Sequence, residues 1–484
     1  MARVSTRSFL FFRLSPAEEQ QHKCYLLRQG EIRKRIDAYS NQSKFKQLIN
    51  KIYSVSYPVQ IIQNIASDIF SGSTPVAKGN AYIEPPNGVR FLRSGEITED
   101  GEVTSMGEVH ITEEVHNGLL RRSQLNSGDV LIAIVGATIG SVGVYERNKP
   151  SNINQAIAVV RLRDKEILPK YLCYYLKSNI GQGLLDFFKR PVARANINLE
   201  EISEIPVLIP PREIQLSLVA AMDEARSHRK QKLAESDALL SSLDDYLLNT
   251  LGLEPPVKDD RKVFAIQTSI ISGRFDPHFH APNFKNIYRL LSKTTTKKLG
   301  EIVKFSKDYW NPKDEEKITF RYIEISNVKP QTGEAIWTET LTKEAPSRAR
   351  MLVHGDDIIV SLTRPHHGSI AHLSEEFDGC IASTGFAVIR SVSKLLNREY
   401  LWCILRSQLS LQQMLQRASG GNYPAITRSE LENIIIPIPE ISIQEKIVRE
   451  IQHRRSEAQR LRSEAETGWQ IAKQWFEDQL LGGS

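Results

Sequence analysis

Hydrophobic positions along the chain follow two rhythms, and each rhythm occurs twice. Short runs rich in β-branched residues, at 130–135, 156–161, 357–362 and 386–389, are bounded by Gly, Pro, Asn and Ser, which predicts strands closed by tight turns. Each strand-rich stretch ends in a proline-containing apolar strip, IPVLIPP in the first and IIIPIPE in the second. Beyond the strips, apolar residues recur every three or four positions. One stretch carries Leu218, Met222, Ala225, Leu240, Leu243 and Leu247, interrupted by Arg229 and Lys232; the other carries Ile447, Ile451, Ala458, Leu461, Ala465, Ala472 and Trp475. A 3.5-residue beat keeps one stripe facing a partner helix, so the pattern predicts two long helices paired as a coiled coil. A helix of ~40 residues spans about 60 Å, and two of them paired antiparallel would act as a ruler between globular parts.

The two rhythms belong to one repeated unit. Residues 158–215 lie on residues 387–444 at a constant offset of 229 without a gap, and 15 of the 58 pairs are identical, among them Tyr171 with Tyr400, Ile197 with Ile426, Pro210 with Pro439 and Gln215 with Gln444. Upstream, Gly128-Asp129 pairs with Gly355-Asp356 at an offset of 227, and Arg35 and Asp37 answer Arg274 and Asp276. A repeat that holds register this far predicts two copies of one architecture, near residues 30–253 and 270–482. Residues 1–30, with Arg3, Arg7 and Arg13, precede anything repeated.

Composition narrows the class. With 484 residues, 40% hydrophobic and 25% charged, the chain has the size for several folded domains and the balance of a globular protein. Cys24, Cys173, Cys380 and Cys403 are scattered, without metal-ligand or disulfide-framework spacing, which suits a reducing cytoplasm. The apolar start near Phe9 is short and no run approaches a ~20-residue span, so neither export nor a membrane crossing is expected. The net charge of +6 favours a polyanionic partner.

Catalytic patterns are not found. The glycines from Gly136 to Gly143 fit neither nucleotide-binding spacing and read as a turn between strands. His278 and His280, and again His366 and His367, lack cysteine or carboxylate companions at ligand spacing. Asp356 and Asp357 look like a carboxylate pair, but the first copy has a single aspartate there, as a turn residue capping its own backbone would require. The acids of the 314–317 run stand too close together for a nuclease site and read as a solvated loop.

Taken in order, the GSTP turn at 72–75, FLRSGEI, the GDVL segment, the glycine turn, the Ile-Asn strip and the PPREIQ helix start resemble the specificity subunits of type I restriction-modification systems. The second copy repeats the series as FRYIEISNV, GDDIIVS, TRPHHGSI, YPAIT and IPEISIQ. The resemblance implies an α+β fold of two tandem, strand-rich target-recognition domains separated by two long helices in an antiparallel coiled coil, with pseudo-twofold repetition. The boundaries would be an extension at 1–30, domains at 31–211 and 254–440, and helices at 212–253 and 441–484. It further implies double-stranded DNA read as two half-sites, two docked adenine methyltransferase subunits and motor-nuclease subunits. S-adenosylmethionine, ATP and Mg would belong to those partners, with no cofactor on this chain. A protein-only repeat scaffold and a stand-alone DNA-modifying enzyme are the competing classes.

Base readout needs donors and acceptors on loops that reach the major groove. Candidates in the first copy are Lys78, Asn80, Arg93, Arg190, Arg194 and Asn196. In the second they are Lys307, Trp310, Arg364, His366, His367, Arg417, Asn422 and Tyr423.

Overall fold

A computed structural model describes residues 9–13 and 24–28 by backbone, then 43–76, 80–104, 107–163, 166–189, 196–254, 261, 263–266 and 274–482. The chain forms two compact units, residues 1–233 with 463–484, and residues 234–462.

In the first unit the β-branched runs form an antiparallel sheet in the order Ala66–Ser71, Ile157–Leu162, Val130–Ala133, Val142–Val144. Val130, Leu131, Ile132 and Ala133 are all buried, as expected of a central strand covered on both faces. A second sheet pairs Ser151–Ile153 in parallel with Val89–Leu92, then adds His110–Ile111 and Tyr82–Ile83. The IPVLIPP strip forms strand Pro206–Leu208 against Val59–Ile61. Phe9–Arg13 and Cys24–Arg28 in the N-terminal extension form an antiparallel pair.

The second unit repeats this plan. Its antiparallel sheet runs Val303–Phe305, Phe386–Val392, Ile358–Ser361, Ile370–His372, and its second sheet has the same parallel pairing, Ile381–Ser383 beside Thr319–Ile323. The IIIPIPE strip forms strand Ile435–Pro437 against Thr296–Lys298. Small buried anchors recur as well. Tyr171 donates its hydroxyl to Leu208 O at 2.6 Å and Tyr400 donates to Pro437 O at 3.0 Å. Gln215 accepts from Leu168 N and donates to Glu166 O and Pro210 O; Gln444 accepts from Asn397 N and donates to Leu395 O and Pro439 O. A buried amide that satisfies three main-chain groups costs little to desolvate and fixes where each long helix starts.

The first long helix is Arg212–Ser241, and after a break at Ser242 it continues as Leu243–Thr250 instead of running unbroken to residue 253. The second is Ile441–Leu481. They pair antiparallel in both units. In the first, Arg229 meets Glu466 at 3.5 Å and Lys232 meets Glu464; in the second, Ser236 donates to Ala458 O at 3.0 Å, Arg462 meets Asp237 at 2.8 Å, and Arg454 donates to Ser242 Oγ at 2.7 Å. Partners rise on one helix as they fall on the other.

Each core is therefore closed by parts of both helices. Leu218 and Met222 join Trp469, Phe476 and Leu480 in the first core, while Leu247 and Leu248 join Ile447, Val448 and Ile451 in the second. The stripe expected to include Trp475 departs here: Trp475 is 37% exposed, and Trp469 and Phe476 are buried instead. Beyond Ala465 the helix packs into a strand-and-helix core, with Trp469 6.4 Å from Tyr174 and Phe476 6.0 Å from Tyr171 by ring centroids. The buried positions there follow the ordinary 3.6-residue helical period, not the supercoiled 3.5.

Candidate nucleic-acid interface

Two facing loops recur in the two units. In the second, the segment after strand Ile358–Ser361 meets the GGNYPAIT segment through a bridge between Thr363 and Ala425, with Ile426 N donating to Leu362 O at 2.9 Å. In the first, Val135 bridges Asn196 and Ile197 N donates to Ile134 O at 3.1 Å. Of the glycines expected to form a turn, Gly136 and Gly140 lie in one between strands Val130–Ala133 and Val142–Val144, whereas Gly143 lies within the second of these strands.

Below the loops sits a repeated ion pair. Asp129, almost wholly buried, accepts Asn126 N at 2.7 Å and holds Arg161 at 2.8 Å; Asp357 accepts His354 N at 2.9 Å and holds Arg390 at 2.7 Å. The hydrogen bond to Asp129 pushes the Arg161 guanidinium above its ordinary range. Burial pulls Arg390 down, but Asp357 and Asp308 outweigh it and the net shift is upward. This corrects the sequence register. The partner of Asp129 is Asp357, and Asp356 takes the place of Gly128, both in left-handed conformation with φ +70° and +94°. The aspartate caps its own turn, as a turn residue does, and in both copies it also ties the turn to the neighbouring strand.

Among the candidate residues, Arg364, Asn422 and Tyr423 come together. Arg364 has φ +46°, accepted by few residues other than glycine, and it precedes Pro365. Its N–H donates to Pro424 O at 2.7 Å and its Nη2 to Asn422 O at 2.7 Å, and the guanidinium lies 4.5 Å from the Tyr423 ring centre. Tyr423 is 71% exposed. His366 and His367 follow on the same loop, rings 4.6 Å apart. Burial first, then the positive charges of His367, Arg364 and His278, hold His366 below the usual histidine range. His367 is exposed; His366 lines a cleft with Trp402, Arg406 and Arg455.

Other candidates stand apart from this tip. Arg417 is half-buried and tied into the domain, donating to Tyr288 Oη at 2.8 Å, Gln413 O at 3.1 Å and Asn433 O at 3.3 Å. Trp310 stacks 4.6 Å from Phe320 and donates its indole N–H to Glu315 at 3.0 Å. Arg93 pairs with Glu96 at 3.5 Å and donates to Gly107 O at 3.1 Å. Asn80, Asn196 and Lys307 are exposed. Lys78, Arg190 and Arg194 lie outside the described residues. His278 and His280 are tied to main-chain carbonyls, of Leu415 at 3.1 Å and Arg274 at 2.7 Å. Sequence reasoning passed over the Arg161 and Arg390 clamps, although the shared AVVR and AVIR segments carry them.

The family model for the type I restriction modification DNA specificity domain matches residues 67–235 and again 292–456, one match per copy and more than half of the chain. The chain belongs to that family. The family describes a DNA-specificity component, not a catalytic one. The chain is 32% identical over 104 residues to the type I restriction enzyme EcoBI specificity subunit of Escherichia coli, covering 22% of each protein. It is 27% identical over 131 residues to the HindI specificity subunit of Haemophilus influenzae, covering 27% of this chain and 26% of that one. It thus spans about a quarter of the length of these relatives. A solved structure, described as the structural basis of complex assembly and conformational transition of the type I R-M system, matches with a TM-score of 0.51 at 16% identity, over 88% of this chain and 98% of that one. That likeness supports the tandem fold. Among the described residues no helix is long and apolar enough to cross a membrane.

Proposed function

We propose that the chain selects a two-part, asymmetric DNA sequence for a type I restriction-modification complex, each unit reading one half-site, while adenine methyltransferase and motor-nuclease subunits dock on it and supply the chemistry. The carrying observation is the duplicated pair of facing loops, Val135 against Asn196 and Thr363 against Ala425, mounted on one scaffold but differing in sequence at the tips. A shared scaffold with different tips suits two readers of different sequences, because base identity is read by side chains while the duplex backbone is common to all sites. The net charge of +6 fits a phosphate-rich partner. S-adenosylmethionine, ATP and Mg are assigned to the partner subunits, and the complex to the cytoplasm.

The test is co-expression with the cognate methyltransferase subunit followed by methylome sequencing. The expected result is adenine methylation at one two-part motif, present only when both proteins are made. Methylation by the isolated chain, or the same motif without it, contradicts the proposal.

A further inference from the structure

The tip of the second unit joins residues that hold the loop to residues that stand exposed on it. Between Ser419 and Ala425, which bridge each other, the chain turns through Gly420 at φ +104°, where a Cβ would come within 3.2 Å of Tyr423 O. The Asn422 side-chain amide makes no hydrogen bond among the described residues, and both Asn422 and Tyr423 are exposed. Beside this unengaged amide the Tyr423 ring meets Arg364 and is still 71% exposed.

Arg364 is differently placed. Its Nη2 is committed to Asn422 O, its planar face lies against the Tyr423 ring, and its main-chain N–H holds Pro424 O. Arginine reads guanine with two parallel N–H donors from one edge, and here one of those donors is already occupied by the loop it supports. A non-glycine residue held at positive φ before a proline is strained, and it persists because three contacts with the facing loop fix it.

We infer that Asn422 and Tyr423 are the base-contacting residues of the second unit, that they read an A·T pair in the major groove, and that Arg364 is a positioning residue which acts only through them. An asparagine amide matches the N6 donor and N7 acceptor of adenine, and an apolar ring face suits the thymine methyl. Together the two side chains complement the adenine edge and the thymine methyl of one A·T pair. The inference rests on the proposed DNA-reading function.

The experiment uses the full chain co-expressed with its methyltransferase subunit, with the methylome read position by position. Four variants are compared with wild type: Asn422→Ala, Tyr423→Ala, Tyr423→Phe and Arg364→Gly. Glycine adopts positive φ without strain, so Arg364→Gly removes the clamp and spares the backbone. Asn422→Ala and Tyr423→Ala should each lower discrimination about tenfold or more at one and the same A or T of the second half-site, with the first half-site unchanged. Tyr423→Phe should keep the motif. Arg364→Gly should relax that same position, and adding it to the Asn422→Ala/Tyr423→Ala double variant should change nothing further.

Absence of any two-part motif with the wild-type chain defeats the proposed function itself. A motif left intact by Asn422→Ala and Tyr423→Ala defeats this inference alone. If Arg364→Gly instead relaxes a G·C position, or its effect multiplies with that of the Asn422→Ala/Tyr423→Ala double variant, Arg364 reads a base directly and the assignment is overturned.

Discussion

The Asp244 carboxylate accepts the main-chain N–H of Gln408 at 3.1 Å. Asp244 follows the first long helix, whereas Gln408 opens helix Gln408–Arg417 of the second strand-rich copy, 164 residues later. The first unit carries the mirror arrangement: Glu477, on the second long helix, accepts Asn179 N and Ile180 N at the start of helix Asn179–Phe188. Each copy's helix thus ends as a cap on the other copy's domain. A carboxylate at a helix N-terminus satisfies orphan N–H groups and meets the positive end of the helix dipole.

Removing either cap should loosen one domain. Glu477→Ala should cost about 1 kcal/mol of stability, as side-chain caps do, whereas Glu477→Gln, which keeps an acceptor, should cost less. Thermal unfolding of the three proteins checks this; equal melting temperatures would show the cap to be dispensable.

The repeat, the central strands, the turn at 136–140 and the two long helices were legible because each leaves a period in the sequence. The cross-copy closure was not. A hydrophobic stripe says that a helix has a partner, but not that its far end enters another domain's core, and so Trp475 was chosen over Phe476. The second sheets were also hidden, since strands of two residues such as Tyr82–Ile83 and His110–Ile111 are too short to show alternation. At the facing loops, sequence brought forward Arg364, Asn422 and Tyr423 but could not separate them from Arg417. Whether an arginine faces solvent or spans two helices depends on tertiary packing, not on its neighbours in the chain.

The repeated ion pair gives a second stability prediction. Arg390→Ala leaves Asp357, about 1% exposed, without its cation, and stranding a buried carboxylate costs roughly 3 kcal/mol or more. Denaturant unfolding should register that loss, and Arg161→Ala should do the same in the first unit through Asp129. A change below about 1 kcal/mol would mean that water reaches the carboxylate.

Burial pushes the Cys173 thiol up to about 11 and the Cys403 thiol up to about 12. Since the thiolate is the reactive form, neither should be alkylated at neutral pH in the native protein, and both should react once it is unfolded. Mass spectrometry after iodoacetamide treatment decides; rapid native labelling of either would show that its core opens readily.

The helix pair, proposed as a ruler, predicts a spacing change. Because bonds cross the pair at Lys232 with Glu464 and at Ser236 with Ala458, four residues inserted in one helix would break the ladder. Matched insertions, after Leu233 and after Arg462, preserve it. Each adds about 6 Å, nearly two base pairs at ~3.4 Å per pair, so the spacer between half-sites should grow by one or two positions with both half-sites unchanged. A folded, active variant with the original spacer would remove the helices from that role.

The central claim, two independent readers on one chain, is tested most directly by exchanging residues 50–205 for the matching domain of a relative with a different half-site and sequencing the methylome. The account predicts that one half of the methylated motif changes to that of the donor while the other half stays as it was. A motif altered in both halves, or in neither, would contradict it.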